Sequence, residues 1–160
     1  MKTHSEKAVE LFLEGYNCAQ SVIGAYAEEL EIEKETLFRL TSSFGGGMGR
    51  LREVCGAVSA MFMIAGLKKG YITPNDDETK EQHYTLIQEL GHKFRDENGS
   101  IICRELLDLM ETESVPKPAK RTEEYYNERP CARVIYSACE ILDKILVWNI
   151  WHVIKYILKY

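Results

Sequence analysis

The sequence predicts an all-α fold, an irregular multi-helix bundle with a long C-terminal helix. Apolar residues recur at helical spacing along most of the 160 residues, and no segment alternates apolar and polar residues as a half-buried strand does. Glycine or proline stands where the helical pattern breaks. The length fits one domain, expected over residues 1–160, with an apolar helical tail at about 146–160.

Glycine separates the helices expected in the first half of the chain. Residues 4–30 are predicted to form two helices or one kinked helix, broken at Gly15. A shorter helix is expected over about 34–42, where the glycine run ends it. Another is expected over about 53–69, with Gly70 as its C-terminal cap.

Turn residues and proline divide the second half. The segment "TPNDDE" is a turn that leads acidic residues into the first turn of a helix over about 76–96. A short helix begins near Ser100 and ends before Pro116 and Pro118. The last helix is expected to begin at Pro130 and to continue almost to Tyr160.

Charge and composition exclude one class of function. A net charge of −5 and an isoelectric point near 5.5 do not fit a nucleic-acid-binding surface, which is usually basic. Charged residues between Lys2 and Glu14 interrupt the amino-terminal segment, which therefore does not resemble a secretory signal. We expect a cytoplasmic protein.

The tail "ILVWNIWHVIKYILKY" is the most apolar segment, but polar and charged residues interrupt it too often for a bilayer span. Lys144, Lys155 and Lys159 share one side of the predicted helix and leave a wide apolar face that includes Trp148 and Trp151. This face is expected to pack on the domain's own core or on a second copy in a homodimer. Contact with a membrane surface is a less favoured alternative.

The five cysteines carry the clearest chemical signal. No two form a CxxC pair, so their spacing indicates neither a thioredoxin motif nor a zinc ribbon, and the reducing cytosol argues against a disulfide framework. Cys139 lies within a helix and is assigned to the core. The other four cysteines fall near predicted helix starts. Cys18 follows Asn17, Cys55 follows the glycine loop, Cys103 follows Ser100 and Cys131 follows Pro130.

Helix starts favour the thiolate form of cysteine, because free amide groups and the helix dipole lower its pKa. Arginine adds to this effect at three of the four cysteines. Arg50 and Arg52 precede Cys55, Arg104 follows Cys103, and Arg129 and Arg133 flank Cys131. We therefore predict a lowered pKa for the Cys55 thiol.

The loop before Cys55 contains Gly45, Gly46, Gly47 and Gly49. It is expected to admit positive φ and to expose backbone amides toward an anion or a sulfur site, although a simple tight turn is the alternative. The lysine and hydroxyl residue of a phosphate-binding loop are missing. Small residues from Gly56 to Ala60 allow a neighbouring helix to approach and to bring a second cysteine near Cys55.

Several segments together resemble the family of redox-active proteins named for its C, GCAxxG, C, C pattern. They are "GYNCAQSV", "FGGGMGR" running into "CGAVSAMFMIAGLKKG", "CRELL" and "RPCARVIYSACEIL". The resemblance covers about residues 5–145 and implies a small, mostly helical, cytoplasmic protein with a redox role. The four signature cysteines of the family are matched by Cys18, Cys55, Cys103 and Cys131, whereas Ala60 replaces a glycine that is usual there.

Two functional hypotheses follow. In the first, the four cysteines converge and act with an unidentified redox partner, either as thiol/disulfide couples or as ligands of an iron–sulfur cluster. In the second, the chain is a non-catalytic helical interaction or dimerisation module with structural cysteines.

Overall fold

The computed structural model describes residues 2–109 and 115–157, and within these residues the secondary structure is helical, with no strand. The all-α prediction is confirmed. The helices are α1 (His4–Leu13), α2 (Cys18–Ala25), α3 (Ala27–Leu30), α4 (Lys34–Thr41), α5 (Gly45–Met48), α6 (Gly56–Lys69), α7 (Asp77–Asn98), α8 (Cys103–Leu106), α9 (Glu123–Glu128) and α10 (Cys131–Ile157).

Helices α6 and α10 form the centre of the bundle. Helix α6 packs against α2, α7 and α10, while α10 also packs against α1, α2 and α7. The burial of large apolar side chains from all of these helices stabilises the arrangement. The largest fully buried side chains are Val22, Ile23, Tyr26, Phe12, Leu37, Met61, Ile64, Leu90, Phe94, Ile135, Ile141 and Leu142.

Local capping explains where the first helices begin. Thr3 accepts a hydrogen bond from the Glu6 amide at 3.2 Å, and the Glu6 carboxylate accepts one from the Thr3 amide at 2.8 Å. After α1, Gly15 has a φ of 108° and breaks the helix as predicted. The predicted helical region 4–30 is therefore divided into α1, α2 and α3.

The later helix boundaries agree with the predictions to within a few residues. Helix α7 begins after Asp76, whose carboxylate accepts a hydrogen bond from the Thr79 amide at 3.0 Å. It continues to Asn98, two residues beyond the predicted end. Gly70 follows α6 directly, but its backbone is extended and not left-handed. Helix α9 was not predicted.

A polar network joins the ends of the chain on the side of the bundle where Cys139 is buried. The Tyr26 hydroxyl donates hydrogen bonds to Asp143 Oδ1 at 2.7 Å and to the Cys139 carbonyl at 3.2 Å. The His4 ring stacks on Tyr26 with centroids 4.0 Å apart, and its Nδ1 lies 3.0 Å from the Asp143 carboxylate. Cys139 itself is fully buried among core residues, as predicted.

The backbone of α10 is helical to Ile157, but the side chains of residues 147–157 and all of residues 158–160 lie outside the described part of the structure. The apolar face with Trp148 and Trp151 falls there, so its packing, the homodimer and the membrane contact stay predictions. Within the described ranges, none of the helices combines the length and the apolar character that crossing a bilayer requires.

Candidate functional site

Cys18 begins α2, and α2 begins beside the start of α6. Asn17 caps α2 by accepting a hydrogen bond from the Gln20 amide at 2.9 Å, and the Gln20 side chain accepts one from the Asn17 amide at 3.1 Å. A Cβ atom added to Gly56 would lie only 3.3 Å from Cys18 Cβ and 3.1 Å from the Ala19 nitrogen. The predicted approach of a second cysteine-bearing helix to this small-residue segment is therefore confirmed.

An isolated antiparallel β-bridge brings the second and third cysteines together. Val54 pairs with Ile102, and the flanking backbone hydrogen bonds are Cys55 N to Ile101 O at 2.8 Å and Cys103 N to Glu53 O at 2.6 Å. Because the chain is extended here, α6 begins at Gly56 and not near residue 53 as predicted.

Ser100 organises the start of α8, which carries Cys103. The Ser100 hydroxyl accepts a hydrogen bond from the Ile102 amide at 3.0 Å and also bonds to the Glu105 carboxylate. Helix α8 begins at Cys103, three residues after the predicted start near Ser100, and Ile102 is its N-cap residue. The backbone around Cys103 is thus held both by this turn and by the bridge.

The glycine run wraps tightly around the start of α6. Gly47 has a φ of 69°, and a Cβ atom there would lie 2.5 Å from Cys103 Cβ and 3.0 Å from the backbone of Glu53. Gly45 has an ordinary φ, but an added Cβ would lie 2.8 Å from the Asn17 side chain. Positive φ also occurs at Met48, Arg50 and Arg52, which is an unusual and costly conformation for residues other than glycine.

The four cysteines line one cavity of about 280 Å³, and Cys139 lies outside it. Cys131, the first residue of α10, lines the cavity together with Cys18, Cys55 and Cys103. The predicted loop glycines, Gly45, Gly46, Gly47 and Gly49, line the same cavity. The structure therefore brings together every residue of the site that the sequence indicated.

The cysteines differ in their access to solvent. Cys55 and Cys103 are buried, with 4% and 8% of their surface exposed, whereas Cys18 and Cys131 are half-buried. The thiols of Cys18 and Cys131 are close enough to affect each other's ionisation, and hydrogen bonding between them is the largest cause of the pKa shift of each. Cys18 and Cys131 are therefore the more exposed pair among the four cavity cysteines.

Of these two thiols, Cys131 ionises at the lower pH. The hydrogen bond from Cys18 lowers the pKa of Cys131 to about 7, and the positive charges of Arg129, Arg121 and Arg52 act in the same direction against the effect of burial. The same hydrogen bond and burial raise the pKa of Cys18 well above its ordinary value. At neutral pH, Cys131 is therefore about half thiolate, whereas Cys18 is a thiol.

The prediction of a lowered pKa at Cys55 is wrong. Burial raises the pKa of the Cys55 thiol to about 12, and the amides of Ala57 and Val58 in the first turn of α6 only partly oppose this rise. Arg52 lies against Cys103 instead, donating from Nη1 to Sγ at 3.8 Å. Burial nevertheless raises the pKa of Cys103 as well, with Arg52 opposing the increase.

Arginine gives the cavity a positive charge. Arg50, Arg52, Arg121 and Arg129 line it, and none of the described lining residues is Asp or Glu. The other arginines that the sequence placed near cysteines point elsewhere. Arg104 pairs with Glu53 at 3.2 Å, and Arg133 donates a hydrogen bond to the Asn98 side chain at 3.0 Å.

Arg121 and Tyr125 were missed by the sequence analysis. Arg121 precedes α9 and is distant from every cysteine in sequence, while Tyr125 lies on α9. A local signal for α9 does exist, because Thr122 is followed by Glu123 and Glu124, a cap with an acidic first turn. The Thr122 hydroxyl accepts a hydrogen bond from the Tyr125 amide at 3.2 Å.

The four cavity cysteines are the candidate ligands of a metal centre. In the part of the chain that the structure describes, no three His, Cys, Asp or Glu side chains are grouped so that they could hold one metal ion. An iron–sulfur cluster needs its thiolate ligands around one small centre. The described site is therefore a set of four thiols around one cavity.

Comparison with known proteins identifies the family. The family model described as "Putative redox-active protein (C_GCAxxG_C_C)" matches residues 16–145, a range that contains all four cavity cysteines. Searches of curated proteins and of solved structures gave no match. Because the family model covers most of the sequence, the chain belongs to the C_GCAxxG_C_C family of redox-active proteins.

Proposed function

We propose that the protein carries out thiol–disulfide exchange, with Cys131 as the attacking thiolate and Cys18 as the resolving thiol. The observation that carries the proposal is that Cys18 and Cys131, the two half-buried cysteines, line one cavity together with arginine side chains. A pKa of about 7 leaves roughly half of Cys131 ionised at neutral pH, and an attacking thiol is most effective when its pKa is near the ambient pH.

The reaction has two exchange steps. The Cys131 thiolate attacks one sulfur of a substrate disulfide, forming a mixed disulfide and releasing the first thiolate, which takes up a proton. Cys18 then loses its proton and attacks Cys131 Sγ, releasing the second thiolate. The substrate gains two electrons as the protein dithiol becomes a Cys18–Cys131 disulfide, which an external dithiol reductant, the unidentified redox partner, returns to two thiols.

We assign Cys55 and Cys103 to the same site as a second dithiol. Both are buried and protonated behind the accessible pair, and both flank the Val54–Ile102 bridge. Exchange of their thiols with a Cys18–Cys131 disulfide would oxidise this second dithiol and reduce the first.

Mapping of the first disulfide tests the assignment. Reduced protein, freed of reductant without oxygen, is treated with one equivalent of 2-hydroxyethyl disulfide, quenched by acid and alkylation, and analysed by peptide mass spectrometry. We expect the Cys18–Cys131 disulfide as the first product and release of two equivalents of mercaptoethanol. Cys18→Ser should trap mercaptoethanol on Cys131, and Cys131→Ser should abolish the fast reaction.

Cys139→Ala is the matched control, because Cys139 lies outside the cavity and its loss should leave this product unchanged. A first disulfide that joins any other pair, or a fast reaction that survives in Cys131→Ser, would contradict the assignment. Equal and slow alkylation of all five thiols would instead favour the non-catalytic interaction module.

The iron–sulfur alternative predicts a different spectrum. Protein purified without oxygen would then contain iron and acid-labile sulfide and would absorb visible light near 400 nm in a manner lost on addition of a chelator. The thiol–disulfide proposal predicts a colourless protein with five free thiols.

A further inference from the structure

We propose that the arginines of the cavity bind an anionic group of the substrate, so that Cys131 acts on small disulfides that carry a carboxylate or a similar anion close to the sulfur atoms. This inference rests on the proposed thiol–disulfide exchange and names the class of substrate for it. It depends on Arg52, Arg121 and Arg129.

Arg52 provides a buried positive charge whose hydrogen-bonding groups are only partly used. Only 3% of its surface is exposed, and its Nε has no hydrogen-bond partner. The hydrogen bond from Nη1 to Cys103 Sγ is long, at 3.8 Å, and the pKa of that thiol is raised. A buried guanidinium without an anionic partner is costly, and an anion bound in the cavity would compensate for it.

Aromatic rings hold two more guanidinium groups at the cavity without neutralising them. The Cζ atom of Arg121 lies 4.6 Å from the Phe12 ring centroid and 4.9 Å from that of Tyr125, and Arg129 Cζ lies 4.5 Å from the Tyr125 ring. Neither arginine forms an ion pair with a carboxylate in the described residues. Arg121 Nη1 is also buried without a partner.

These charges are positioned to act on a substrate of Cys131. Arg129, Arg121 and Arg52 all lower the pKa of this thiol, so all three are close enough to affect charge at its sulfur. The full chain has a net charge of −5, so the positive charge of the cavity is opposite in sign to the net charge of the protein. A concave site lined by one sign of charge concentrates ligands of the opposite sign.

The size of the cavity restricts the substrate. At about 280 Å³ it is close to the lower end of the range for small-molecule sites, so we expect a low-molecular-weight disulfide and not a folded protein. In the exchange reaction, the arginines would hold the anion of the disulfide while Cys131 attacks the nearer sulfur. They would also stabilise the thiolate that leaves before it takes up a proton.

Three disulfides of similar size and different charge test the inference. Dithiodiglycolate is dianionic, 2-hydroxyethyl disulfide is neutral and cystamine is dicationic at neutral pH. The rate at which each reagent forms the Cys18–Cys131 disulfide is measured. This rate is divided by the rate at which the same reagent reacts with a neutral model thiol, N-acetylcysteine amide, to remove differences in leaving groups. We expect dithiodiglycolate to exceed the neutral disulfide by about tenfold and cystamine to be slowest.

Added salt should reduce the preference for dithiodiglycolate, because exposed charge interactions are screened. Arg129→Gln should reduce it severalfold, and Arg129→Lys should restore part of it. Arg133→Gln is the matched control, because it removes the same charge two residues after Cys131 but from a side chain that does not line the cavity. Equal normalised rates for all three disulfides, or equal losses in Arg129→Gln and Arg133→Gln, would overturn the inference.

A binding measurement separates this inference from the redox proposal. Thiodiglycolate has one sulfur in place of the disulfide and cannot be reduced, so it can only bind. We expect it to slow the alkylation of Cys131 by iodoacetamide, whereas the neutral thiodiglycol should not. Protection by thiodiglycolate without disulfide exchange would refute the redox function and keep the anion site. Exchange without charge preference or protection would keep the redox function and refute the anion site.

Discussion

Cys55 and Cys131 both stand at a helix start, yet burial raises the pKa of the first thiol to about 12, while hydrogen bonding from Cys18 lowers that of the second to about 7. The helix dipole acts on both thiols, but it contributes less than complete desolvation does. Cys131 is half-buried and has Cys18 as a hydrogen-bond donor, so its charged form is stabilised. Reactivity therefore depends on the neighbours that the fold supplies and not on the helix start alone.

This difference predicts the pH dependence of alkylation. The rate at Cys131 should rise with pH through a midpoint near 7, because only the thiolate reacts. Cys18→Ala removes the hydrogen bond that is the largest cause of the lowered pKa, so the midpoint should move upward by about one unit or more. Iodoacetamide labelling at a series of pH values, followed by quantitative peptide mass spectrometry, measures both midpoints.

The control for this experiment is Cys139→Ala, which should leave the Cys131 midpoint where it is in the unchanged protein, since Cys139 lies outside the cavity. If the midpoint of Cys131 in the unchanged protein lies near that of an ordinary thiol, or if Cys18→Ala does not move it, the proposed thiolate is absent.

The glycine run and the β-bridge position Cys103 by backbone contacts. Gly47 contacts both Glu53 and Cys103, whose backbones are hydrogen-bonded to each other. Its carbonyl accepts a hydrogen bond from the Glu53 amide at 3.1 Å, and its Cα faces Cys103 Cβ. No side chain fits at this position, and the φ of 69° disfavours any residue with a Cβ. The segment is therefore a structural support for the cavity as well as part of its lining.

We expect Gly47→Ala to destabilise the protein by about 2 kcal/mol or more and to alter the thiol reactivity of the cavity. Gly66→Ala is the matched control, because Gly66 lies within α6 and an added Cβ would contact nothing within 4 Å. Helix propensity alone should make Gly66→Ala neutral or stabilising by about 0.5–1 kcal/mol. Urea unfolding of both variants measures the difference; a Gly47→Ala protein of unchanged stability would show that the close approach is absent.

The helices could be predicted because their boundaries depend on nearby residues. Asn17 and Asp76 cap the helices that follow them, and Gly15 breaks the helix before it. The convergence of the cysteines was also accessible, since small residues around Gly56 indicated a close helix contact. These signals all act within a few residues of the structure that they determine.

The cationic lining of the cavity could not be predicted in the same way. Arg121 is held over Phe12 and Tyr125, and its Nη2 donates to the Tyr16 carbonyl at 3.1 Å. Phe12 and Tyr16 belong to the opposite end of the chain, so only the folded bundle brings the arginine to the cysteines. The burial of Cys55 likewise depends on packing between distant segments, which is why the prediction from its helix start failed.

Taken over the whole chain, the buried thiols couple stability to pH in two opposite directions. The pKa of Cys131 is lowered to about 7 from an ordinary value of 9.0, so between these values the unfolded chain binds more protons and stability rises with pH. Burial raises the pKa of Cys139 above 9.0, and so the folded chain keeps a proton that the unfolded chain loses. Its contribution to stability is therefore lost as the pH rises above about 9.

Two alanine variants should allow the two opposite pH dependences of stability to be measured separately, by urea unfolding with a phosphine reductant present. Between pH 6.5 and 8.5, Cys131→Ala should show a smaller rise in unfolding free energy than the unchanged protein, the difference being at most about 1.4 kcal/mol per pH unit. Above pH 9, Cys139→Ala should lose stability less steeply, even though truncation in the core lowers its stability at neutral pH. Below pH 8.5, Cys139→Ala is the control for Cys131→Ala, because the raised pKa of Cys139 should leave the slope in that range unchanged. Identical slopes for all three proteins below pH 8.5 would show that Cys131 is not a stabilised thiolate, since a lowered pKa in the folded state requires this dependence.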